Sequence, residues 1–419
     1  MTEWRTATVI ELQRDGVLLV EDGNHGEYRP RSDEFTDNGV AFIRAADMDA
    51  GRIDFSSASK IDERARQRIT KGIGAPGDVI LSHKGTVGKV ALAPEDAPPF
   101  VCSPQTTFWR TCDEEQLDRK FLYVFLRSPN FHAQLATRAG ETDMAPYVSL
   151  TSQRGFSVTI PPIRTQRDIA ATIGAFDDKI DLNCRMNETL EAMARTIFKD
   201  WFIDFGPTRA KMEGRTPYLT TELWALFPDH LDDEGKPVGW ELQRIEDLLE
   251  LAYGKALPAA SRVFGEYPVY GSGGINGYHS SAVVDPPAVI VGRKGTVGSL
   301  YWEDRPCFPI DTVFYVIPKV VPLTFSFYLL QSLGLGDMNT DAAVPGLNRS
   351  NVYRLEGAWG TPDLASRFDG IIGLVRSRIF AAEQECRTLA GTRDLLLPKL
   401  MSGEIRVKDV EKLLDEAAE

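Results

Sequence analysis

The stretch VILSHKGTVG, from Val79 to Gly88, occurs a second time as VIVGRKGTVG, from Val289 to Gly298. Seven of the ten positions are identical, and the copies lie 210 positions apart in a chain of 419 residues. Solenoid repeats have periods of only about 20–50 residues, so this separation predicts two copies of a whole domain. The duplication therefore decides how the rest of the chain is divided.

The similarity continues outside this stretch and keeps its order. The further matched positions are Trp4 with Trp240, Cys102-Ser103-Pro104 with Cys307-Phe308-Pro309, and Phe108-Trp109 with Phe314-Tyr315. Between them lie short segments rich in Val, Thr and aromatic residues, separated by Gly and Pro, which are typical of short strands in a β-rich mixed domain. The expected strands are VAFIRAADM, GDVILSH, PAVIVGR and TVFYVIPK, and the repeated Thr-Val-Gly is expected to form a hairpin turn with a strained glycine.

Each copy ends in a long helical pattern. The first apolar stripe is Ile169, Ile173, Phe176, Ile180, Leu190, Ala194 and Ile197, and the second is Phe368, Ile372, Val375, Ile379, Ala382, Cys386 and Leu389. Gaps of three and four residues predict two helices of about 37 residues, roughly 55 Å each, that pack together as an antiparallel coiled coil. Asn183 and Asn187 fall on the first stripe. They form either a buried pair that fixes the register or a place where the seam is open.

Composition limits the function classes. The formal net charge is −13, and neither globular part nor either helical part is basic overall, which is unusual for a protein that binds DNA by itself. Five cysteines without a CxxC motif argue against a disulfide framework or a zinc ribbon, and Cys102 and Cys307 are expected to be core residues. No apolar run approaches the roughly 18–20 residues that cross a membrane, so we expect a cytoplasmic protein with no membrane partner.

Motifs for chemistry within this chain are weak. The sequence DPPA, from Asp285 to Ala288, lacks the aromatic fourth residue with which amino-methyltransferases stack on a flipped base. The loop GSGGING, from Gly271, does not have the spacing of a dinucleotide fold, and five histidines include no HExxH pair. We therefore predict no catalytic residue, no metal site and no cofactor in this chain.

The helical region resembles a known family. The segment PPIRTQRDIAATIGAFDDKIDLNCRMNETLEAMARTIFKDWFIDF is similar to the central conserved region of specificity subunits of type I restriction-modification enzymes. LLLPKLMSGEIRV, from Leu395, resembles their C-terminal conserved region, while YPVYGSGGINGYH and KGTVG resemble patterns in their target-recognition domains. The resemblance covers nearly the whole chain, and its helical motif is the most specific part.

The resemblance implies an α+β fold. Two β-rich target-recognition domains would form a pseudo-two-fold repeat, separated by the two antiparallel helices. The expected segments are 1–160 for the first domain, 161–205 for a central spacer helix, 206–239 for a linker, 240–361 for the second domain and 362–419 for the C-terminal spacer helix and tail.

The resemblance also implies a function and partners. Each domain would recognise one half of a bipartite, asymmetric site in double-stranded DNA. The helices would dock two DNA methyltransferase subunits, and motor-nuclease subunits would be further partners. S-adenosylmethionine, ATP and magnesium would belong to those partners. The alternative is a coiled-coil scaffold that contacts only protein.

Candidate binding residues follow from side-chain chemistry, because Arg and Lys suit phosphates and guanine edges and Tyr can stack. The DNA candidates, expected in loops, are Lys84, Lys294, Arg29, Arg31, Arg64, Arg68, Arg262, Tyr270, His279 and Arg349. Lys84 and Lys294 lead because they occupy equivalent turns, although a purely structural hairpin with a solvated lysine is the competing interpretation. The candidates for docking a methyltransferase through exposed apolar surface are Trp201, Phe202 and Phe205.

Overall fold

The computed structural model describes residues 4–23, 26–140, 146–338 and 346–410. The chain divides into two compact units. Unit 1 consists of Met1–Asp181 and Cys386–Glu419, and unit 2 of Leu182–Glu385. Unit 2 is therefore one continuous stretch of chain, whereas unit 1 combines the two ends.

Unit 1 contains thirteen described strands and the start of the first long helix. The strands are β1 Arg5–Thr8, β2 Leu18–Asp22, β3 Phe35–Thr36, β4 Val40–Ile43, β5 Met48–Asp49, β6 Arg52–Ile53, β7 Lys60–Ile61, β8 Ile73–Gly74, β9 Val79–Ser82, β10 Val90–Leu92, β11 Phe100–Cys102, β12 Thr106–Thr111 and β13 Ser157–Ile160. The helices are α1 Val9–Arg14, α2 Glu63–Arg68, α3 Arg119–Leu126, α4 Pro129–Ala139, α5 Leu150–Arg154 and α6 Ile163–Phe202.

Unit 2 is built from the next nine described strands. These are β14 Gln243–Arg244, β15 Leu249–Tyr253, β16 Tyr267–Gly271, β17 Gly274–His279, β18 Ala288–Gly292, β19 Leu300–Glu303, β20 Phe308–Pro309, β21 Val313–Pro318 and β22 Glu356–Gly357. The helices are α7 Gly206–Met212, α8 Thr221–Ala225, α9 Ile245–Leu248, α10 Leu323–Ser332, α11 Arg349–Tyr353 and α12 Pro362–Ser402. The four strands expected from VAFIRAADM, GDVILSH, PAVIVGR and TVFYVIPK are confirmed as β4, β9, β18 and β21.

The two units share one sheet topology. Unit 1 has an antiparallel sheet in the order β10-β9-β12-β2, and unit 2 has the matching order β19-β18-β21-β15. Beside each lies a sheet with one parallel pair, β4 with β11 in unit 1 and β16 with β20 in unit 2. The α+β class and the duplicated β-rich domain are therefore confirmed.

Strand register corrects one detail of the repeat. Phe108 of β12 lies opposite Ile80, and in unit 2 it is Tyr315 of β21 that lies opposite the equivalent Ile290. The aromatic pair Phe108-Trp109 therefore corresponds to Tyr315 and the residue after it, one position later than the sequence match placed it. Aromatic residues were a poor guide here because neighbouring positions of a strand alternate between its two faces.

Both long helices end in the hydrophobic cores of the units. In unit 1, Ile169 and Ile173 near the start of α6 pack with Leu397, Leu400 and Met401 near the end of α12, all in one buried cluster with the domain core. The same arrangement occurs in unit 2, where the end of α6 and the start of α12 join one core. Its helix residues are Ala194, Phe198, Trp201, Phe202, Leu364, Ala365, Phe368 and Ile372.

Contacts within each unit show that the helices run antiparallel. In unit 2, Asn183 donates to Glu385 at 2.8 Å, and Asn187 donates to the carbonyl of Ile379 at 3.4 Å. Asn183 is buried and Asn187 half-buried. The middle of the seam is therefore polar but closed at Asn183, which favours the register-fixing interpretation for that residue.

The segment expected to be a linker, 206–239, is folded onto unit 2. Phe227 is 2% exposed and packs edge-on against the Trp201 ring with centroids 5.4 Å apart. The Lys211 ammonium bonds the carboxylate of Asp229 at 3.0 Å. The sequence of this segment indicates one short amphipathic stretch, LTTELWALF, but such a pattern does not show which surface it covers, so this packing was not predicted. Within the described ranges, no helix has the length and apolar content needed to span a bilayer.

Candidate nucleic-acid interface

The repeated KGTVG turns have the same geometry in both units. After β9, the amide of Gly88 donates to the carbonyl of Ser82 at 2.9 Å. After β18, the amide of Gly298 donates to the carbonyl of Gly292, also at 2.9 Å. Gly88 has φ +100° and Gly298 φ +73°, a region that favours glycine. The expected hairpin with a strained glycine is confirmed, and it fixes the position of the lysine four residues earlier.

Each turn lies beside the segment that leads into a short helix. Lys84 forms a β-bridge with Tyr147, and Lys294 forms one with Gly346. These partners precede α5 and α11, whose first residues follow the capping side chains Ser149 and Asn348. Both lysine side chains are exposed, and the Lys84 ammonium lies 5.7 Å from the centre of the Tyr147 ring. Equivalent lysines are therefore presented at equivalent edges of two different domains.

The predicted arginines of the first domain lie near Glu34 and Asp62, and Arg68 is the one whose guanidinium binds Glu34. Arg68 donates to Glu34 at 2.7 Å and to the carbonyl of Arg29, while the amide of Arg31 donates to Glu34 at 2.7 Å. These hydrogen bonds, Arg68 first, lower the pKa of Glu34 to about 2. Arg64 bonds Asp62 at 2.7 Å. Arg64 and Arg68 lie in α2 rather than in the loop that was expected, and both are engaged by acids of their own domain.

Two predicted residues of the second domain are interior. Tyr270 lies in β16, is 5% exposed and donates to Glu303 at 3.0 Å. Burial, followed by the charge of Glu303, raises the pKa of the Tyr270 phenol. His279 is 9% exposed and accepts from the amide of Val263 at 3.0 Å, and Arg262 donates to the carbonyl of Asn276. The expectation that Tyr270 and His279 lie in exposed loops is wrong, because both belong to strands that pack on the domain core.

Arg349 lies against an aromatic ring of its own domain. It is the first residue of α11, and its guanidinium lies 4.8 Å from the centre of the Tyr253 ring. Arg293, which adjoins Lys294 in the repeated turn, lies 4.9 Å from the same ring. Arg293 and Tyr253 were not among the predicted residues. The adjacent pair Arg293-Lys294 was the available signal for the arginine, whereas nothing in the sequence places Tyr253 near it.

The docking candidates are largely buried in this chain. Trp201 is 3% exposed and Phe202 1% exposed, and both rings contact Phe368. Phe205 is half-buried and packs edge-on against Trp240 with centroids 5.5 Å apart. The premise that Trp201 and Phe202 form exposed apolar surface is wrong, because the second domain and α12 cover them. Their role in docking stays a prediction.

Ion pairs join the helices to the domain inside each unit. In unit 1, Asp177 of α6 accepts from Arg127, which follows α3, and, at 2.7 Å, from Arg393 of α12. In unit 2, Arg376 of α12 donates to Glu191 of α6 at 3.0 Å and lies 4.7 Å from the centre of the Trp302 ring. The repeat aligns Thr172-Ile173-Gly174 with Ile371-Ile372-Gly373, so Asp177 and Arg376 occupy equivalent positions with opposite charges.

Possible metal ligands and cysteine thiols are the remaining chemical groups in the part of the chain that the structure describes. Those residues contain no group of three or more His, Cys, Asp or Glu side chains that could hold a metal ion. Cys102 and Cys307 are buried, as expected for core residues, and burial raises the pKa of each thiol to about 12. Neither thiol is therefore a nucleophile near neutral pH.

Known proteins of similar sequence and fold point to one family. A family model for the type I restriction modification DNA specificity domain matches residues 21–192 and 237–350. The HindI specificity subunit of Haemophilus influenzae is 25% identical, covering 87% of this chain and 94% of its own length. The MjaIX specificity subunit of Methanocaldococcus jannaschii is 23% identical over 84% of this chain and 82% of its own.

A solved structure supports the fold. The S subunit of the type I restriction-modification system from M. genitalium aligns with a TM-score of 0.54 over 95% of this chain and 96% of that one, at 16% identity. The family model covers more than half of the chain in two separate copies, one for each repeat. The chain therefore belongs to the family of type I restriction-modification DNA specificity subunits.

Proposed function

We propose that this chain is the DNA-recognition subunit of a type I restriction-modification complex. Residues 1–160 and 240–361 each recognise one half of a bipartite, asymmetric site in double-stranded DNA. The pair of KGTVG turns is the main support for this proposal. The turns hold Lys84 and Lys294 at equivalent edges of two domains whose surrounding residues differ. Identical domains would recognise a palindrome, whereas diverged domains suit an asymmetric target.

The same proposal assigns the remaining parts. The long helices, within 161–205 and 362–419, space the two domains and dock two methyltransferase subunits, and motor-nuclease subunits join the complex for cleavage. Catalysis, with S-adenosylmethionine, ATP and magnesium, belongs to those partners.

Domain exchange tests whether each domain recognises its own half of the site. Residues 1–160 are replaced by the corresponding domain of another specificity subunit, and the chimaera is expressed with the methyltransferase partner. Sequencing of modified adenines should show one half of the site changed and the other retained, because base contacts carry sequence information and other contacts only position. The reciprocal exchange of 240–361 is the matched control and should change the other half. A change in both halves from one exchange would show that the domains are not independent.

A scaffold without DNA recognition is the second candidate. A gel shift of the complex with the methyltransferase, on DNA with and without the methylated site, separates the two functions. A scaffold would leave the preference for the site unchanged when either domain of this chain is exchanged.

A further inference from the structure

An exposed tyrosine of the second domain is flanked by two arginines. The guanidinium of Arg293 lies 4.9 Å from the centre of the Tyr253 ring and that of Arg349 lies 4.8 Å from it. Tyr253 is 48% exposed, and both arginines are half-buried. We call these three side chains the Tyr253 stack. Cation–π contacts of this kind restrict the guanidinium groups and leave their N–H edges available.

The fold holds each member of the Tyr253 stack in place. Tyr253 is the last residue of β15 and lies opposite Phe314 of β21. Arg293 follows β18, on the other side of β21, and its carbonyl accepts from the amide of Leu347 at 2.8 Å. That contact brings in the start of α11, where Arg349 stands. The stack is therefore built on rigid elements around one end of the sheet.

The arginines of the stack carry uncompensated charge. Arg293 donates to the backbone carbonyl of Asp311 at 3.1 Å and Arg349 to that of Leu251 at 3.3 Å. Among the residues that the structure describes, neither guanidinium forms an ion pair with a carboxylate, whereas Arg305 of the same unit is paired with an acid. Each guanidinium has five N–H donors, so several remain for a ligand.

Two further lysines are close neighbours, along the chain, of members of the Tyr253 stack. Lys294 adjoins Arg293, Lys255 is two residues from Tyr253, and both are exposed. These four cations stand in or directly beside β15, β18 and α11, in a chain with a net charge of −13. Such a cluster favours an anionic ligand, because a bound anion offsets the repulsion between the like charges.

The first domain lacks this feature. By strand register, Tyr253 opposite Phe314 corresponds to Asp22 opposite Thr107. Arg293 corresponds to His83, which is fully buried, and the first residue of α5 that corresponds to Arg349 is Leu150. The Tyr253 stack is therefore a property of the second domain and not of the shared fold.

We infer that the Tyr253 stack binds a backbone phosphate of the DNA half-site that residues 240–361 recognise, an inference that rests on the proposed function. A phosphate is favoured over a base edge because both arginines are half-buried and tied at one donor to backbone carbonyls. Side chains held flat on a domain surface suit the phosphate backbone, whereas base recognition requires projection into a groove. The stack thus positions the second domain on DNA and carries no sequence information.

Salt dependence tests the inference. The complete complex with its methyltransferase partner is titrated with target DNA over a range of salt concentrations, using the parent chain, R293Q, R349Q and the double variant. The slope of log affinity against log salt should fall by about 0.9 for each phosphate that is no longer neutralised. The double variant should therefore lose about 0.9, and each single variant should lose part of that. Each single variant should weaken binding roughly tenfold, equally for targets with single-base substitutions in either half-site.

Matched variants control for charge and for folding. R244Q removes one positive charge from the same unit at an arginine paired with Glu356, and it should retain the parent slope. Y253A should reduce affinity because it removes the ring that orients both guanidiniums, while Y253F keeps that ring and should bind as the parent does. Thermal melting of each complex identifies a variant that fails to fold, and the single substitutions remain informative if the double variant does.

Three outcomes would overturn the inference. One is an unchanged salt slope in folded R293Q and R349Q. Another is a reduction of the salt slope by R244Q that equals the reduction by R293Q or R349Q. The third is loss of discrimination at one base pair, which would make the stack a base-recognition site. A parent complex with no preference for any DNA site would instead refute the proposed function itself, so the two failures are distinguishable.

Discussion

At the scale of single residues, equivalent positions of the repeat have taken opposite charges. Asp177 in unit 1 and Arg376 in unit 2 each join a long helix to the other helix of its unit. Burial alone raises the pKa of Asp177, but hydrogen bonds and charge from Arg127 and Arg393 outweigh it and leave that pKa below its ordinary value. The carboxylate is therefore a stabilising group only while it is ionised.

The Asp177 ion pairs should make unit 1 sensitive to acid. Because the folded pKa lies below the unfolded value of about 3.9, the contribution is complete above that value and is lost as the pH falls through the folded pKa. D177N should lower the free energy of unfolding by roughly 2 kcal/mol at pH 7, since Arg127 and Arg393 lose their counter-charge. Its stability should also change less than that of the parent between neutral pH and about pH 3.

Denaturant titrations at several pH values measure this effect. D178N is the matched control, because Asp178 is the exposed neighbour on the same helix. Parallel curves of unfolding free energy against pH for D177N and the parent would contradict a stabilising role for the Asp177 ion pairs.

At the scale of elements, aromatic packing anchors the long helices in unit 2, polar contacts join them near their middle, and unit 1 has an aromatic cluster of its own. Phe368 of α12 is fully buried against the rings of Phe198, Phe202 and Tyr328. Phe131 of α4 is equally buried in unit 1, against Trp109. The two aromatic clusters belong to separate cores, so each unit has its own source of hydrophobic stabilisation.

Truncation in one core should therefore leave the other core intact. F368A should destabilise unit 2 by about 3–5 kcal/mol, the usual cost of removing a buried phenylalanine ring. Hydrogen exchange followed by mass spectrometry should show faster exchange in peptides of unit 2 and unchanged exchange in α3 and α4 of unit 1. F131A is the reciprocal variant. Equal acceleration in both units by either substitution would mean that the chain unfolds as one cooperative block.

At the scale of the whole molecule, charge sets the requirement for partners. With a net charge of −13, the chain repels DNA except where cations gather locally, as at the Tyr253 stack. We expect weak, salt-sensitive DNA binding by the isolated chain. With methyltransferase present, a complex of one specificity chain and two methyltransferase subunits should bind its site with a Kd in the range of about 10⁻⁸–10⁻¹¹ M.

Native mass spectrometry and fluorescence anisotropy measure stoichiometry and affinity for that complex. The same partners with an unrelated specificity subunit are the control, since they should bind a different site. Equal affinity of the isolated chain and the complex for the same DNA would contradict this account of the charge.

Sequence alone predicted the features that depend on periodicity and repetition. The duplicated domain, both long helices and the KGTVG hairpins are confirmed, because each leaves a regular pattern in the chain. The sequence did not predict which arginines are paired with acids, since Arg68 meets Glu34 across 34 positions of irregular structure. The Tyr253 stack was missed for the same reason, because β15, β18 and α11 meet only in the folded sheet.

The division of the chain into one continuous and one discontinuous unit bears on how it emerges from the ribosome. All residues of unit 2 are available once Glu385 has left the ribosome. At that point the core of unit 1 still lacks Leu397, Leu400 and Met401. Domains made first usually fold first during synthesis. Here Ile169 and Ile173 are made long before Leu397, Leu400 and Met401, and they lack these helical partners until the end of α12 has been made. Unit 2 can therefore complete its core before unit 1 does, and unit 1 is the unit more dependent on chaperone protection during translation.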